Sequence, residues 1–367
     1  VKIVLAPDSF KENMTALEAV QAMKHGVHDV YPDAETVMVP MSDGGEGFVD
    51  AVTAAWGAGL VTASTVDALG RPIRAAYGLD GDRAVMDVAS CAGLELIDPA
   101  DRDVLRSNTA GLGLLIKDAV GRGARTIVLG IGGSATNDAG LGMLTALGAR
   151  LLDDVGEPVA PYPDQFGRIA AIDLAGLLPE LARTRFQVAC DVTNPLTGPA
   201  GATAVFGPQK GVAPESVPVL DRALAHVARV SGHEPEAAVP GAGAAGGLGF
   251  ALRVFLGAVL EPGVELVAHA VGLADAVAGA DLVLTGEGSV DAQTLAGKTP
   301  AGVARLAAGA GVPCVVFAGR IKDGAENLLE HGVRELVKVG PPDEPLAQAL
   351  RHGQENLRRA VGDYLRR

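Results

Sequence analysis

Acids, hydroxyls and glycines recur together directly behind apolar, strand-like runs of this chain, a pattern suited to holding phosphate and a divalent cation. The fullest instance is Gly130-Ile131-Gly132-Gly133-Ser134-Ala135-Thr136-Asn137-Asp138, which follows the apolar run Thr126 to Gly130 and precedes the helical pattern Leu141 to Leu147. Its glycines allow close backbone approach and its successive N–H groups can cradle a phosphate. Ser134 and Thr136 add hydroxyl donors, and Asp138 offers oxygen to Mg²⁺. The competing reading is structural, a tight strand-to-helix turn with Asn137 or Asp138 as N-cap.

A second segment, Asp281 to Lys298, places Glu287, Asp291 and Lys298 beyond the predicted strand Asp281-Leu282-Val283-Leu284, where ligands bind in open α/β sheets. Residues 292–299 approach a Walker A loop but carry Ala292 where its first Gly is required. Thr299 as N-cap with Pro300 at the first helical position explains part of that pattern. Three further loops share the character: Asp8-Ser9-Phe10-Lys11, Ser42-Asp43-Gly44-Gly45-Glu46-Gly47 and Cys190-Asp191-Val192-Thr193-Asn194-Pro195-Leu196-Thr197-Gly198-Pro199. Asp, Ser and Asn are ordinary turn formers, so the weight lies in their repetition at several strand ends.

Other chemistries lack support. Gly241-Ala242-Gly243-Ala244-Ala245-Gly246 matches the dinucleotide fingerprint, but it follows the polar, Pro-bearing stretch 232–240 and no strand, so it reads as a Gly-rich helix start that packs closely. The seven histidines show no zinc-ligand spacing, and Ser9 and Ser134 lack a nucleophile elbow.

The elements that must position the loops read as β-loop-α units. Val1 to Leu5 is strand-like and leads through the first loop to Thr15-Ala16-Leu17-Glu18, a capping box opening a helix. Thr36 to Pro40, the loop 42–47 and an apolar helix to about Trp56 form the second unit, and runs at 281–284, 314–317 and 335–339 repeat the rhythm of a parallel sheet. The middle differs, with strand candidates at 84–88, 126–130 and 186–189 at irregular spacing, which suggests an inserted domain with seams near 58 to 66 and 270 to 280. A length of 367 residues suits two domains, and 48% hydrophobic against 20% charged residues describes a chain that folds throughout.

A net charge of −14 and the lack of a basic run disfavour nucleic acid as a partner, while a small anion remains compatible through local N–H groups and metal. Three widely separated cysteines, Cys91, Cys190 and Cys314, suggest buried thiols in a reducing compartment. No leader-like succession opens the sequence, so a cytoplasmic location is expected. The apolar window 241–260 carries Arg253, at a cost of about 2.5–3.5 kcal/mol mid-bilayer, and reads as a buried helix, so no membrane association is expected.

In their order the motifs resemble the bacterial class I glycerate kinase family. The resemblance runs through Ala6 to Lys11, Asp43 to Gly47, Gly130 to Asp138, Asp191 to Leu196, Phe206 to Lys210, Gly241 to Gly249, and Thr285 to Gly288 with Asp291, Gln293 and Thr294. It implies a Rossmann-like domain (residues 1–60 and 275–367) interrupted by a second α/β domain (residues 61–274), with ATP, Mg²⁺ and D-glycerate meeting in the cleft. The product implied is 2-phosphoglycerate, with 3-phosphoglycerate the alternative. The chain departs from the family pattern where Glu12-Asn13-Met14-Thr15 replaces small residues such as Gly-Ser-Leu-Ser, and where Ser289 replaces a basic residue.

On that reading the glycerate hydroxyl attacks the γ-phosphate in line. Asp191 and Asp291 are alternative candidates for the base, each following a strand end, and Asp43 and Asp138 are expected at Mg²⁺. Gly132, Gly133, Ser134, Thr136 and Asn137, with Glu287 and Lys298, are expected on the nucleotide. Asp8, Ser9, Asn194 and Lys210 are expected on the substrate. Lys11 joins the catalytic group, and Lys11, Lys210 and Lys298 are candidates for pairing with a carboxylate or a phosphate. Two other functions compete with it: an NAD-dependent dehydrogenase at the Gly241 segment and a non-catalytic sugar-acid sensor. The second would want Arg or Lys where this chain places Asp and Glu.

Overall fold

A computed structural model describes residues 1–341 and 344–367. From the N-terminus its strands are β1 (Lys2–Leu5), β2 (Glu35–Met38), β3 (Gly59–Val66), β4 (Pro72–Asp80), β5 (Arg83–Asp87), β6 (Thr126–Gly130), β7 (Arg150–Leu152), β8 (Ala171–Asp173), β9 (Arg185–Ala189), β10 (Val259–Glu261), β11 (Leu282–Val290), β12 (Cys314–Ile321) and β13 (Val333–Lys338). The chain divides into two compact units, Val1–Ala58 with Pro262–Arg367, and Gly59–Glu261. The fold is α/β, with a parallel sheet interrupted in sequence by a mixed one.

The first unit holds a five-stranded, wholly parallel sheet in the order β13-β12-β11-β1-β2. Strands covered on both faces need continuous apolar runs, and Ile3 to Leu5, Val283 to Leu284 and Cys314 to Phe317 supply them, all buried. Phe317, Met23 and Leu357 sit in the core on one face of this sheet, each contributing about 1.5–3 kcal/mol of apolar burial. Helix Ala16–His28 begins at the expected capping box: Glu18 N–H donates to Thr15 Oγ1 at 3.2 Å and Thr15 N–H to Glu18 Oε2 at 2.9 Å.

The second unit is built on a six-stranded sheet, β10-β9-β6-β5-β4-β3, in which β3, β4 and β5 pair antiparallel and β5, β6, β9 and β10 pair parallel. A separate antiparallel pair joins β7 to β8. The core runs through Tyr77, Met86, Leu112, Leu129, Phe186 and Phe250.

Three features differ from the sequence reading. The second seam lies ahead of helices Gly263–Ala270 and Leu273–Val277 rather than near 275, because these helices pack within the first unit, where Trp56 Nε1 donates to Ala270 O at 2.7 Å. The sequence reading does not include strands β3, β4 and β10: β3 is a half-exposed edge on which Thr62 and Ser64 are exposed, and β10 has three residues. Finally, β11 does not stop at Leu284 but continues through Val290 beside β12. Gly286 makes this possible, since a Cβ there would lie 2.2 Å from Phe317 O.

Candidate active site

At the carboxyl ends of the first unit's strands, the loops behind β1 and β2 and the ends of β11, β12 and β13 line one cavity of about 720 Å³. It brings together Asp8, Ser9, Lys11, Asp43, Glu287 and Lys298, drawn from three separated segments. This is where ligands bind on open α/β sheets.

Asp8 is 7% exposed; its Oδ2 accepts from Thr299 Oγ1 at 2.5 Å and its Oδ1 from Ser9 N–H at 2.6 Å. Burial pushes its carboxyl up to about 6, against the lowering effect of Thr299 and with help from the charge of Asp43. Glu287 lies within β11, opposite Ala318 of β12, and not beyond the strand as the sequence suggested. Burial raises its carboxyl to about 7, Lys298 opposes the rise at 3.7 Å, and Asp8 and Asp43 add to it. Thr294 Oγ1 donates to Glu287 Oε1 at 3.3 Å. Two carboxyls that titrate near neutrality beside a third carboxylate are suited to proton transfer and to a cation.

The loop behind β1 closes on itself. Phe10 and Met14 exchange backbone hydrogen bonds of 2.9 and 3.0 Å, and Glu12 at the turn has φ 62°, a left-handed conformation that explains the small residue usual there. Asn13 Nδ2 donates to Ala349 O and Leu350 O, both at 3.1 Å, tying the loop to helix Leu346–Arg351. Helix Thr299–Gly309 starts one residue earlier than expected: Lys298 is at the N-cap and Thr299 is the first helical residue, its hydroxyl spent on Asp8.

Asp291 is occupied otherwise. It caps the short turn Ala292–Ala296, its Oδ1 accepting from Gln293 N–H at 2.9 Å, with Oδ2 4.0 Å from Lys322 Nζ, and it does not line the cavity.

The second unit's loop 130–138 follows β6 as expected, yet most of its polar side chains turn inward. Asp138 is fully buried and takes four donors: Thr109 N–H and Oγ1–H at 2.8 Å each, Gly142 N–H at 2.9 Å and Gly140 N–H at 3.2 Å. Burial raises its pKa while these hydrogen bonds lower it. With its oxygens engaged and enclosed, Asp138 anchors the starts of helices Ala110–Gly121 and Leu141–Ala146 and does not fit the metal role expected of it. The structural alternative of a tight strand-to-helix turn describes it better, although the N-cap position of the second helix is Gly140 and neither Asn137 nor Asp138.

Lys210, 3% exposed, donates to Ser134 Oγ at 3.0 Å and to Thr136 O at 2.7 Å. Burial lowers its pKa to about 8, with the charge of Asp138 opposing. Asn137 Nδ2 donates to Thr203 Oγ1 at 2.9 Å. Ser134, Thr136, Asn137 and Lys210 therefore hold the loop from within, leaving Gly132 and Gly133 as its exposed tip. Asp191 is exposed just beyond β9, and Asn194 Nδ2 donates to Ala200 O at 2.8 Å.

The Gly241 segment is a clamp on these loops rather than a dinucleotide site. Gly243 N–H donates to Asn194 O and Ala139 N–H to Gly246 O, both at 2.9 Å. A Cβ on Gly243 or Gly246 would lie 2.1 Å from Pro195 O or Thr136 O. Ala245, Gly246 and Gly247 are all left-handed, so regular helix begins only after them.

Sequence reasoning missed several cavity residues: Asn13, Ser289, Arg320, Lys338 and Val339. Ser289 and Arg320 are register partners on β11 and β12, so a cation stands across from the serine on the neighbouring strand. The signal lay in the polar continuation of two apolar runs, Gly319-Arg320 and Lys338.

A two-unit α/β chain with acids and lysines gathered in a cavity at parallel strand ends has the layout of a small-molecule enzyme. The family model described as the glycerate kinase family matches residues 3–367, and the chain belongs to that family. It is 43% identical to the glycerate kinase of Bacillus subtilis (strain 168), over 99% of this chain and 96% of that protein. It is 42% identical to a protein of Escherichia coli (strain K12) named glycerate 2-kinase, over 98% of this chain and 96% of that protein. A crystal structure from Salmonella typhimurium LT2, also named as a glycerate kinase, superposes with a TM-score of 0.91 at 42% identity, covering 99% of this chain and 97% of the other. Among the described residues no helix is long and apolar enough to cross a membrane.

Proposed function

We propose that this chain transfers the γ-phosphate of ATP to a hydroxyl of D-glycerate, giving 2-phosphoglycerate. Family membership supports the kinase reaction, and the name of the Escherichia coli relative supports the 2-position. The observation that carries a role for the first unit is the placement of Asp8, Asp43 and Glu287 in one cavity with Lys11 and Lys298.

In-line transfer forms a bond from the glycerate oxygen to Pγ and breaks the bond from Pγ to the bridging oxygen, which leaves on ADP. The hydroxyl proton passes to a cavity carboxylate. We assign that role to Asp8 and Glu287, whose burial sets them at about 6 and about 7, within reach of neutral pH. This replaces the earlier candidates, since Asp291 serves as a cap and Asp191 stands exposed behind β9 in the other unit. Lys11 and Lys298 are placed to meet phosphate charge.

Magnesium fits the same wall. Asp8, Asp43 and Glu287 repel one another there, Lys298 offsets the repulsion only in part, and a cation would relieve it. Asp43, half-buried, is the residue we assign to Mg²⁺, and bound there the ion would neutralise phosphate charge. The three cysteines are unpaired, which supports a reducing, cytoplasmic setting.

The test is turnover of D-glycerate with ATP and Mg²⁺, with the product's phosphate position read by NMR. Release of 2-phosphoglycerate is expected. A 3-phosphorylated product would overturn the position, and ATP left unconsumed would overturn the reaction.

A further inference from the structure

The first unit's cavity has two unlike ends. The strand order β13-β12-β11-β1-β2 lays it out in a line, since neighbouring strands are about 4.8 Å apart and four steps span roughly 19 Å. At the β11-β1-β2 end stand Asp8, Asp43, Glu287 and Lys298. At the β12-β13 end the wall is Val339, just behind β13, with Pro341, Ala349 and Leu350, and the polar groups of Lys338, Glu344 and Asn356 stand beside them. Val339 is buried, Ala349 and Leu350 are half-buried, and Asn13 holds the backbone of both. Arg320 lines the cavity from β12, and Ser289 beside it carries a buried hydroxyl with no hydrogen-bond partner among the described residues.

From this layout we infer that the nucleotide binds in the first unit, with its base between Val339, Ala349 and Leu350, its phosphates passing Ser289 and Arg320, and its γ-phosphate at the carboxylate end. The inference rests on the kinase reading and adds which loops take the nucleotide. An aliphatic slot with backbone groups at its rim suits a flat purine, whose burial favours apolar walls. The triphosphate needs cations along its path and a divalent ion at its terminus, and the lining runs in that order: the aliphatic wall with Lys338, Glu344 and Asn356 at its rim, then Arg320 and Lys11, then Asp8, Asp43 and Glu287. The opposite orientation would set the base among Asp8, Asp43 and Glu287 and the phosphates against aliphatic side chains and Glu344, with Lys338 as their cation.

Isothermal calorimetry separates the two ends by using ADP and inorganic tripolyphosphate, each with Mg²⁺, as probes. Ala349→Phe narrows the slot and Leu350→Glu charges it; both sites are half-buried, so neither change strikes the core. ADP affinity should fall at least tenfold in both variants while tripolyphosphate affinity stays within twofold. Arg320→Ala should weaken both probes. Unchanged ADP binding in both slot variants, or equal losses for the two probes, would overturn the assignment. Because the readout is nucleotide binding without glycerate, a failure of the glycerate reading would show separately, as absent turnover with intact ADP binding.

Discussion

Asp8 and Asp138 are both carboxylates buried behind a parallel strand, one in each unit, and they differ in what surrounds them. Asp138 receives four donors from three neighbouring backbone groups and a hydroxyl, with the Lys210 cation nearby. Asp8 accepts from Thr299 and Ser9 and shares a cavity with Asp43 and Glu287. A buried acid fully supplied with donors holds the fold. One buried among other acids costs stability, and that cost is accepted where a ligand or cation is to be met.

The sharpest test of this contrast is Asp8→Asn. Turnover should fall by about 10²–10⁴-fold, the usual contribution of a positioned acid or base, and Glu287→Gln should behave alike. Steady-state assays with ATP and D-glycerate measure it, and near wild-type rates in both variants would remove the two groups from the chemistry.

Asp138→Ala should act on stability instead. Four donors, three of them backbone N–H groups, would be left without their acceptor, and a loss of about 3–5 kcal/mol is expected in urea melts. A loss below about 1 kcal/mol would show that Asp138 does not anchor the helices.

The pH dependence of stability should expose the cost of ionising the first unit's buried acids. Asp8 and Glu287 have folded pKa values of about 6 and 7, above their ordinary 3.8 and 4.5, so the folded state binds more protons between those limits. Their stabilising contribution is complete below the ordinary values and is lost as pH rises through 6 and then 7. At pH 8, without metal, each ionised group costs on the order of 2–3 kcal/mol. Asp8→Asn should therefore melt higher than the parent at pH 8 and match it near pH 4. Scanning calorimetry in EDTA would check the sign, and a variant that melts lower at pH 8 would refute the burial cost. Turnover should rise with pH through the same window.

The smallest effect concerns backbone strain. Glu12 at φ 62° pays for a left-handed turn that glycine adopts freely, so Glu12→Gly should stabilise the chain by about 1 kcal/mol. A melt that moves down instead would show that the Glu12 side chain makes a compensating contact.

Much of this was readable from residues alone. Continuous apolar runs such as Ile3 to Leu5 and Cys314 to Phe317 announced a buried parallel sheet, and Thr15 with Glu18 announced a helix start, because these signals are local. Gly, Asp and Ser behind strands marked the loops, and their order along the chain marked the family. What the sequence could not say was which way those side chains face. Asp8 and Asp138 occupy the same kind of local context. Only the tertiary structure brings Thr109 to one and leaves the other opposite Glu287, which lies 279 residues further along the chain and reaches Asp8 because β11 pairs with β1. Electrostatic environment is set by neighbours distant in sequence, so the chemistry of these acids was decided by sheet order and not by motif.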